Sequence, residues 1–187
     1  MPIVYWDYKI INTNYRPISL LSNISKLYER AVHSRVYDFL EKYKLLNERQ
    51  FGFRKKHSTN HATLSILEDI KNNLHINNFV CGVFIDLEKA FDTVNHDILI
   101  KKLDYYGIRG ISNSWFKSYL SNRSQRVIFK DCTSENQKIS CGVPQGSILG
   151  PLLFLIYIND MHAAIKIRQR FTSLMIPIFT VLCVKII

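Results

Sequence analysis

The sequence lacks the features that mark secreted, zinc-stapled or repetitive proteins. Its four cysteines include no C-x-x-C pair, so their spacing predicts neither a zinc site nor a disulfide framework. This pattern favours a reducing compartment, the cytosol or the nucleus. The N-terminus has no basic segment followed by an apolar stretch and therefore does not resemble a signal peptide. No internal repeat or low-complexity linker interrupts the chain.

Acidic residues are missing from the end of the chain. None follows Asp160, and residues 171–187 are apolar except for Lys185 and a few small polar side chains. This tail is slightly short for a membrane span and contains Pro177. We expect no membrane partner, and a membrane anchor is the alternative that the tail by itself leaves open.

The composition indicates a folded, basic protein. Hydrophobic residues make up 47% of the 187 residues, which suits one domain with a sizeable core. Lys and Arg number 25 against 15 Asp and Glu, a net charge of +10. This excess favours a polyanionic partner, with nucleic acid first and an anionic membrane surface second.

Helices and strands alternate without a regular βαβ rhythm, which predicts an α+β domain. Hydrophobic spacing and capping residues predict helices over 22–45, 60–76, 96–106, 115–120 and 147–159. Residues 80–87 have the apolar pattern of a buried strand, and residues 125–130 and 137–141 that of a hairpin.

Two segments carry residues suited to phosphate chemistry. Asp86 ends the apolar strand, where a buried carboxylate is costly unless a cation such as Mg²⁺ compensates it. The alternative is an aspartate that is solvated or caps the next helix. Six basic residues and one acid occur from Lys42 to Lys56, and residues 49–60, RQFGFRKKHSTN, form a basic loop that contains Phe51 and Phe53. This basic loop fits a solvated face and a phosphate-contacting surface equally well.

Four segments together resemble the conserved blocks of reverse transcriptases. FIDLEKAFDTVNHDIL, residues 84–99, resembles the first catalytic block, and GVPQGSILGPLLFLIYIND, residues 142–160, resembles the next one. NYRPISLLSNISKLYER, residues 14–30, and QFGFRKKHST, residues 50–59, are similar to two fingers blocks. The amino-acid sequences of these blocks are most similar to those of non-LTR (LINE-type) retrotransposon polymerases. The resemblance implies RNA-directed DNA synthesis with Mg²⁺, an RNA template, a DNA primer and dNTPs.

The resemblance also implies roles for individual residues. Asp86 matches a carboxylate that holds both Mg²⁺ ions, assisted by the backbone carbonyl of Leu87. Phe91 matches the bulky residue that excludes a ribose 2′-hydroxyl, although its spacing from the strand fits a core phenylalanine as well. The remaining matches are Gln145 and Gly146 for the incoming nucleotide and template, Arg16 for the triphosphate, and Arg54, Lys55 and Lys56 for template phosphates. Gly146 permits a close approach of the backbone, and residues 142–146 also fit an ordinary turn. Asp92 and Asp97 are assigned structural roles through capping and interaction with the helix dipole.

The pattern departs from the family where a Y/F-A-D-D hairpin should supply the other catalytic carboxylates. One set of codons for residues 172–178, ACT TCG CTG ATG ATA CCA ATN, reads Phe-Ala-Asp-Asp-Thr-Asn from the last base of the first codon. We therefore hypothesise a frameshift after about Ala164 that replaced this hairpin.

On this interpretation residues 1–164 are a partial reverse transcriptase domain, and residues 165–187 are a frameshift-derived tail. The domain would contain fingers blocks over 14–59, palm blocks over 80–160 and no thumb. We expect the chain to be inactive as a polymerase and the strand over 80–87 to lack a pairing partner. A non-catalytic nucleic-acid-binding remnant is the alternative, and a decayed element without any function is another.

Overall fold

The structure, a computed structural model, describes residues 18–85, 87–129, 132–161, 171–175 and 180–186. The chain forms two compact units, residues 1–39 with 89–157 and residues 40–88 with 158–187. The described helices are α1 (Asn23–Lys42), α2 (Thr59–His75), α3 (His96–Tyr105), α4 (Ile111–Leu120) and α5 (Gly150–Ile158). The described strands are β1 (Phe79–Ile85), β2 (Ser124–Gln125), β3 (Ile128–Phe129), β4 (Cys132–Thr133), β5 (Gln137–Lys138), β6 (Phe171–Met175) and β7 (Thr180–Ile186). This mixture agrees with the predicted α+β class.

The core of the first unit comes from α3, α4 and α5. α3 buries Leu99 and Leu103, and α4 buries Phe116 and Leu120, each pair four residues apart and so on one helical face. These two helices pack against each other. Residues 152–156 of α5 are all buried, so its unbroken apolar run belongs to a helix that is covered on almost every side.

Side-chain caps define where the predicted helices begin. The Ser22 hydroxyl accepts a hydrogen bond from the Ser25 N–H at 3.1 Å, and the Asn95 carboxamide oxygen accepts one from Ile98 N at 3.0 Å. α3 ends at Tyr105, and Gly107, two residues later, has a φ of +93° that a glycine adopts without strain. The predicted helices are therefore confirmed, although α4 begins at Ile111 and not at Trp115.

The spacing of Leu27, Ala31, Val36 and Leu40 predicts an apolar face for α1, and the structure agrees with it only in part. Leu27 is 66% exposed, whereas Tyr37 and Leu40 are buried together with Glu29. The spacing of these three buried residues is as helical as that of the expected apolar set, so periodicity alone could not choose between the faces.

A three-stranded antiparallel sheet of order β1-β7-β6 lies in the second unit. Every residue of β1 pairs with β7, from Phe79 opposite Ile186 to Ile85 opposite Thr180. The prediction that this strand lacks a pairing partner was wrong, because the apolar tail supplies the neighbouring strand. α2 lies against β1 and β6. Among the described residues, no helix has both the length and the apolar character needed to cross a membrane.

A buried asparagine fixes the loop that follows α1 in the second unit. Asn159, 6% exposed, donates from Nδ2 to the Leu45 carbonyl and accepts from Asn47 N, both at 2.8 Å. Both halves of its carboxamide are thus used, as burial of a polar group requires. The basic loop begins directly after this fixed point.

The predicted hairpin of residues 125–141 forms only in part. Instead of two long strands, β2 pairs with β5 and β3 pairs with β4, two residues each. The side chains of β2, β4 and β5 are exposed, so this segment has no buried face to extend the pairing.

Candidate functional site

The segment after the first catalytic block and the turn of the second block lie side by side in the first unit. Val143 N donates to the Phe91 carbonyl at 2.8 Å, and Gly142 N donates to the Val94 carbonyl at 2.7 Å. Val94 and Val143 are both buried at this junction. Residues 91–96 and 141–147 therefore form one backbone-bonded assembly, although they are distant in sequence.

Gln145 is held within this assembly by its side chain and its backbone. Its Nε2 donates to both carboxylate oxygens of Asp92, at 2.8 and 2.9 Å. Its carbonyl accepts a hydrogen bond from Ser19 N at 2.8 Å. Asp92 is thus structural, as predicted, but as the partner of Gln145 and not as a helix cap.

Glycine is required at two places in the second-block turn. Gly146 has a φ of +95°, and a Cβ there would lie 3.3 Å from Ile18 Cγ2. Gly142 has a φ of +86°, and a Cβ there would lie 2.8 Å from the Asp92 carbonyl oxygen. The prediction of a close backbone approach within an ordinary turn is consistent with both positions.

Substituting Gly142 by alanine should lower the free energy of unfolding by about 2–4 kcal/mol, because a positive φ and a backbone clash both oppose the new Cβ. Gly107→Ala is the matched control. It has a similar φ of +93° but meets only the Phe39 ring at 3.4 Å, so we expect a loss of about 1–2 kcal/mol. Urea denaturation measures both losses. Equal losses of unfolding free energy in the two variants would contradict this prediction, because the clash with Asp92 would then add no cost.

Phe91 packs on the core of the first unit. Its ring stacks on Phe154 with centroids 4.9 Å apart and an interplanar angle of 27°. Phe91 is half-buried and Phe154 is 7% exposed. This packing supports the interpretation of Phe91 as a core phenylalanine.

Glu29 anchors the other end of the second-block turn, a role that the sequence did not reveal. This residue is 1% exposed; one carboxylate oxygen accepts from Ile148 N at 2.7 Å and the other from the Tyr119 hydroxyl at 2.8 Å. Burial, and after it the hydrogen bond to Glu29, raises the pKa of Tyr119 to about 12. The sequence feature that indicates this role is the position of Glu29 on the same helical face as Tyr37 and Leu40.

Of the three cations predicted to contact template phosphates, Arg54 has a structural role and the two lysines are exposed. Arg54 donates from Nε and Nη2 to Glu41, at 3.0 to 3.2 Å, and from Nη1 to the Asn47 carbonyl at 2.9 Å. Its side chain is only 9% exposed, so the guanidinium is engaged within the second unit. Lys55 and Lys56 are exposed beside it.

The remaining predicted residues are placed only in part. Arg16 and Asp86 lie outside the described residues. Leu87 is 37% exposed, and Asp97 is exposed in the first turn of α3, as expected of a residue interacting with the helix dipole.

The described acidic residues do not cluster into a site for divalent cations. Asp86 is a single carboxylate, Asp92 is hydrogen-bonded to Gln145, and no acid follows Asp160. Within the part of the chain that the structure describes, no group of three or more His, Cys, Asp or Glu could hold a metal ion. A two-ion site needs further carboxylates.

Similarity to known proteins identifies the family of this chain. The family described as reverse transcriptase (RNA-dependent DNA polymerase) matches residues 8–179, so the chain belongs to that family. The predicted resemblance to LINE-type retrotransposon enzymes is confirmed by similarity to two Drosophila melanogaster proteins. One is "Probable RNA-directed DNA polymerase from transposon BS", 39% identical over 154 residues. The other is the RNA-directed DNA polymerase from mobile element jockey, 32% identical over 151 residues.

Each of these matches covers 79% of this chain but only 16% of the relative, so the chain spans about a sixth of their length. Among solved structures, an apo telomerase from Candida tropicalis, truncated from its C-terminal domain, superposes with a TM-score of 0.60. That similarity covers 86% of this chain and 34% of the telomerase at 14% identity, and it supports the polymerase-like fold alone.

Proposed function

We propose that this chain is the fingers and palm part of a retrotransposon RNA-directed DNA polymerase, and that the chain itself does not polymerise DNA. The assignment to such a polymerase rests on the assembly of residues 91–96 with 141–147. This assembly holds Gln145 and Gly146 in a fixed turn. The second half follows from the shortage of carboxylates, because a single Asp86 does not fit a two-ion site.

Nucleotide recognition is assigned to residues on both sides of this assembly. Gln145 and Gly146 would contact the incoming nucleotide and template, and Arg16 would bind the triphosphate through bidentate contacts. By the family resemblance Phe91 would lie beside the sugar, where a bulky ring leaves no space for a 2′-hydroxyl. Asp86 and the carbonyl of Leu87 are the groups in this chain that would bind one Mg²⁺ weakly.

Template binding is assigned to the basic loop. Lys55 and Lys56 would contact template phosphates directly. Arg54 would contribute mainly by holding the loop, because Glu41 and the Asn47 carbonyl engage its guanidinium. The net charge of +10 also supports the alternative function, a non-catalytic nucleic-acid-binding remnant.

The test is a pair of assays on the full chain, template-dependent primer extension and binding to single-stranded RNA at several salt concentrations. We expect salt-dependent binding without extension. The double variant Lys55→Ala with Lys56→Ala should reduce the salt dependence, the slope of log K against log salt, by about 1.4 (about 0.7 for each lost phosphate contact).

The control carries Lys101→Ala and Lys117→Ala, two exposed lysines of the first unit. It removes the same charge from α3 and α4 and leaves the basic loop unchanged. An equal change in slope for both double variants would mean that net charge, and not the basic loop, binds the template. Extension by the unmodified chain would overturn the proposed inactivity.

A further inference from the structure

We propose that Asp92 is a positioning residue that fixes the carboxamide orientation of Gln145, so that Gln145 presents its Oε1 to the ligand. The proposal rests on the proposed function in one respect, that Gln145 faces a nucleotide. It adds the direction of the hydrogen bond, and with it the kind of ligand group that Gln145 can bind.

The orientation follows from the chemistry of the two side chains. A carboxylate offers only acceptors, and both oxygens of Asp92 lie within 2.9 Å of one terminal atom of Gln145. That atom must be the nitrogen, because the flipped amide would place an oxygen against two carboxylate oxygens. Within the described part of the chain, Gln145 Oε1 accepts from no protein group, so it is available to a ligand.

The carboxylate of Asp92 is itself held in place. Asp92 N donates to the Lys89 carbonyl at 2.8 Å, and the backbone on either side is bonded to Gly142 and Val143. Gly142 lies so close that a Cβ there would be 2.9 Å from Asp92 Cα. A backbone fixed at several points gives the carboxylate little freedom to follow a flip of the carboxamide.

A carboxamide oxygen that binds a ligand selects hydrogen-bond donors and repels anions. The matching groups of a nucleotide are the sugar hydroxyls and the N–H groups of the base, and the phosphates are excluded. Gln145 would therefore read the nucleoside part, while the phosphates would be bound by the cationic groups of the chain.

Side-chain amide signals of Gln145 in ¹⁵N NMR spectra of the full chain provide the test. In the unmodified chain we expect one resolved, slowly exchanging pair that shifts on adding deoxythymidine but not inorganic triphosphate. Asp92→Asn should collapse this pattern and create a response to inorganic triphosphate, because the carboxamide can then flip. Asp97→Asn, a conservative change on an exposed acid, should leave both responses unchanged.

Exchanging the carboxylate and the carboxamide between positions 92 and 145 provides a second test. Gln145→Glu alone faces Asp92 with a second carboxylate and should lower the folding equilibrium constant about tenfold or more. Adding Asp92→Asn restores a donor opposite an acceptor, and most of that loss should be recovered. No recovery, or an Asp92→Asn spectrum like that of the unmodified chain, would overturn the positioning role.

The outcomes separate this proposal from the proposed function. A response to inorganic triphosphate in the unmodified chain would overturn the acceptor assignment of Oε1. Recovery in the swap together with no response to either deoxythymidine or deoxythymidine triphosphate would overturn the nucleotide-binding function, while the pairing of Asp92 with Gln145 would stand.

Discussion

Replacing Glu29 by leucine should lower the free energy of unfolding by about 2–4 kcal/mol, because two hydrogen-bond donors lose their acceptor. Ile148 N and the Tyr119 hydroxyl both donate to this buried carboxylate. A leucine side chain has no hydrogen-bond acceptor for either of them. The loss should come with little change in the urea dependence of unfolding, because the unfolded chain exposes the same surface. The turn that carries Gln145 should also become mobile in hydrogen-exchange measurements.

Glu29→Gln separates hydrogen bonding from charge. Its carbonyl oxygen can accept from Ile148 N, and its nitrogen can donate to the Tyr119 oxygen, so we expect a loss below about 1 kcal/mol. The pKa of Tyr119, about 12 against an ordinary value of 10.0, should fall towards 10.0 in this variant, as read by ¹³C NMR of the tyrosine ring. Equal destabilisation by glutamine and leucine would show that the negative charge itself stabilises the turn.

The raised pKa of Tyr119 also predicts the pH range in which stability changes. The folded chain holds this proton more tightly than the unfolded chain, so the contribution is complete below pH 10. It is lost as the pH rises from 10 through 12. At neutral pH neither Glu29 variant should alter stability through the ionisation of Tyr119.

Restoring the reading frame that encodes the Phe-Ala-Asp-Asp segment should give the chain template-dependent polymerase activity. If the codons for residues 172–178 read Phe-Ala-Asp-Asp-Thr-Asn one frame over, correcting the shift after about Ala164 supplies the missing carboxylates. We expect template-dependent primer extension by the corrected protein. Asp86→Asn should then reduce its rate about 10³-fold or more, equivalent to several kcal/mol of lost transition-state stabilisation.

The nucleotide sequence of the locus, read from the codon for Tyr157, decides whether this experiment can be made. Absence of the acidic pair in every frame would contradict the frameshift hypothesis and make the apolar tail an original part of the protein. Extension that survives Asp86→Asn would contradict the catalytic role of that residue. Asp97→Asn in the corrected protein is the control and should keep full activity.

Local signals predicted the helices well and the polar contacts poorly. Ser22, Asn95 and Gly107 mark helix ends through interactions within one turn, so the sequence alone was sufficient for them. Glu29 and Asp92 acquire their roles from residues 119 and 53 positions beyond them, respectively, and no local pattern reports such partners.

The strands of the apolar tail likewise could not be predicted from a local pattern. Residues 171–187 are apolar without a clear alternation, a pattern that suits a membrane segment, a buried strand or an unstructured frameshift product. Pairing of β7 with β1 depends on a strand far away in the chain. The site residues, in contrast, are predicted from four blocks whose order and sequences are specific to the family.

The pairing of β1 with β7 has a consequence for biosynthesis. The paired residues are separated by roughly a hundred positions, so contacts of this sheet are highly non-local and should slow folding. At a translation rate of about 5–20 residues per second, β1 would wait on the ribosome for about 5–20 s before β7 is made. During that interval its apolar residues and open hydrogen-bonding edge are natural targets for a nascent-chain chaperone.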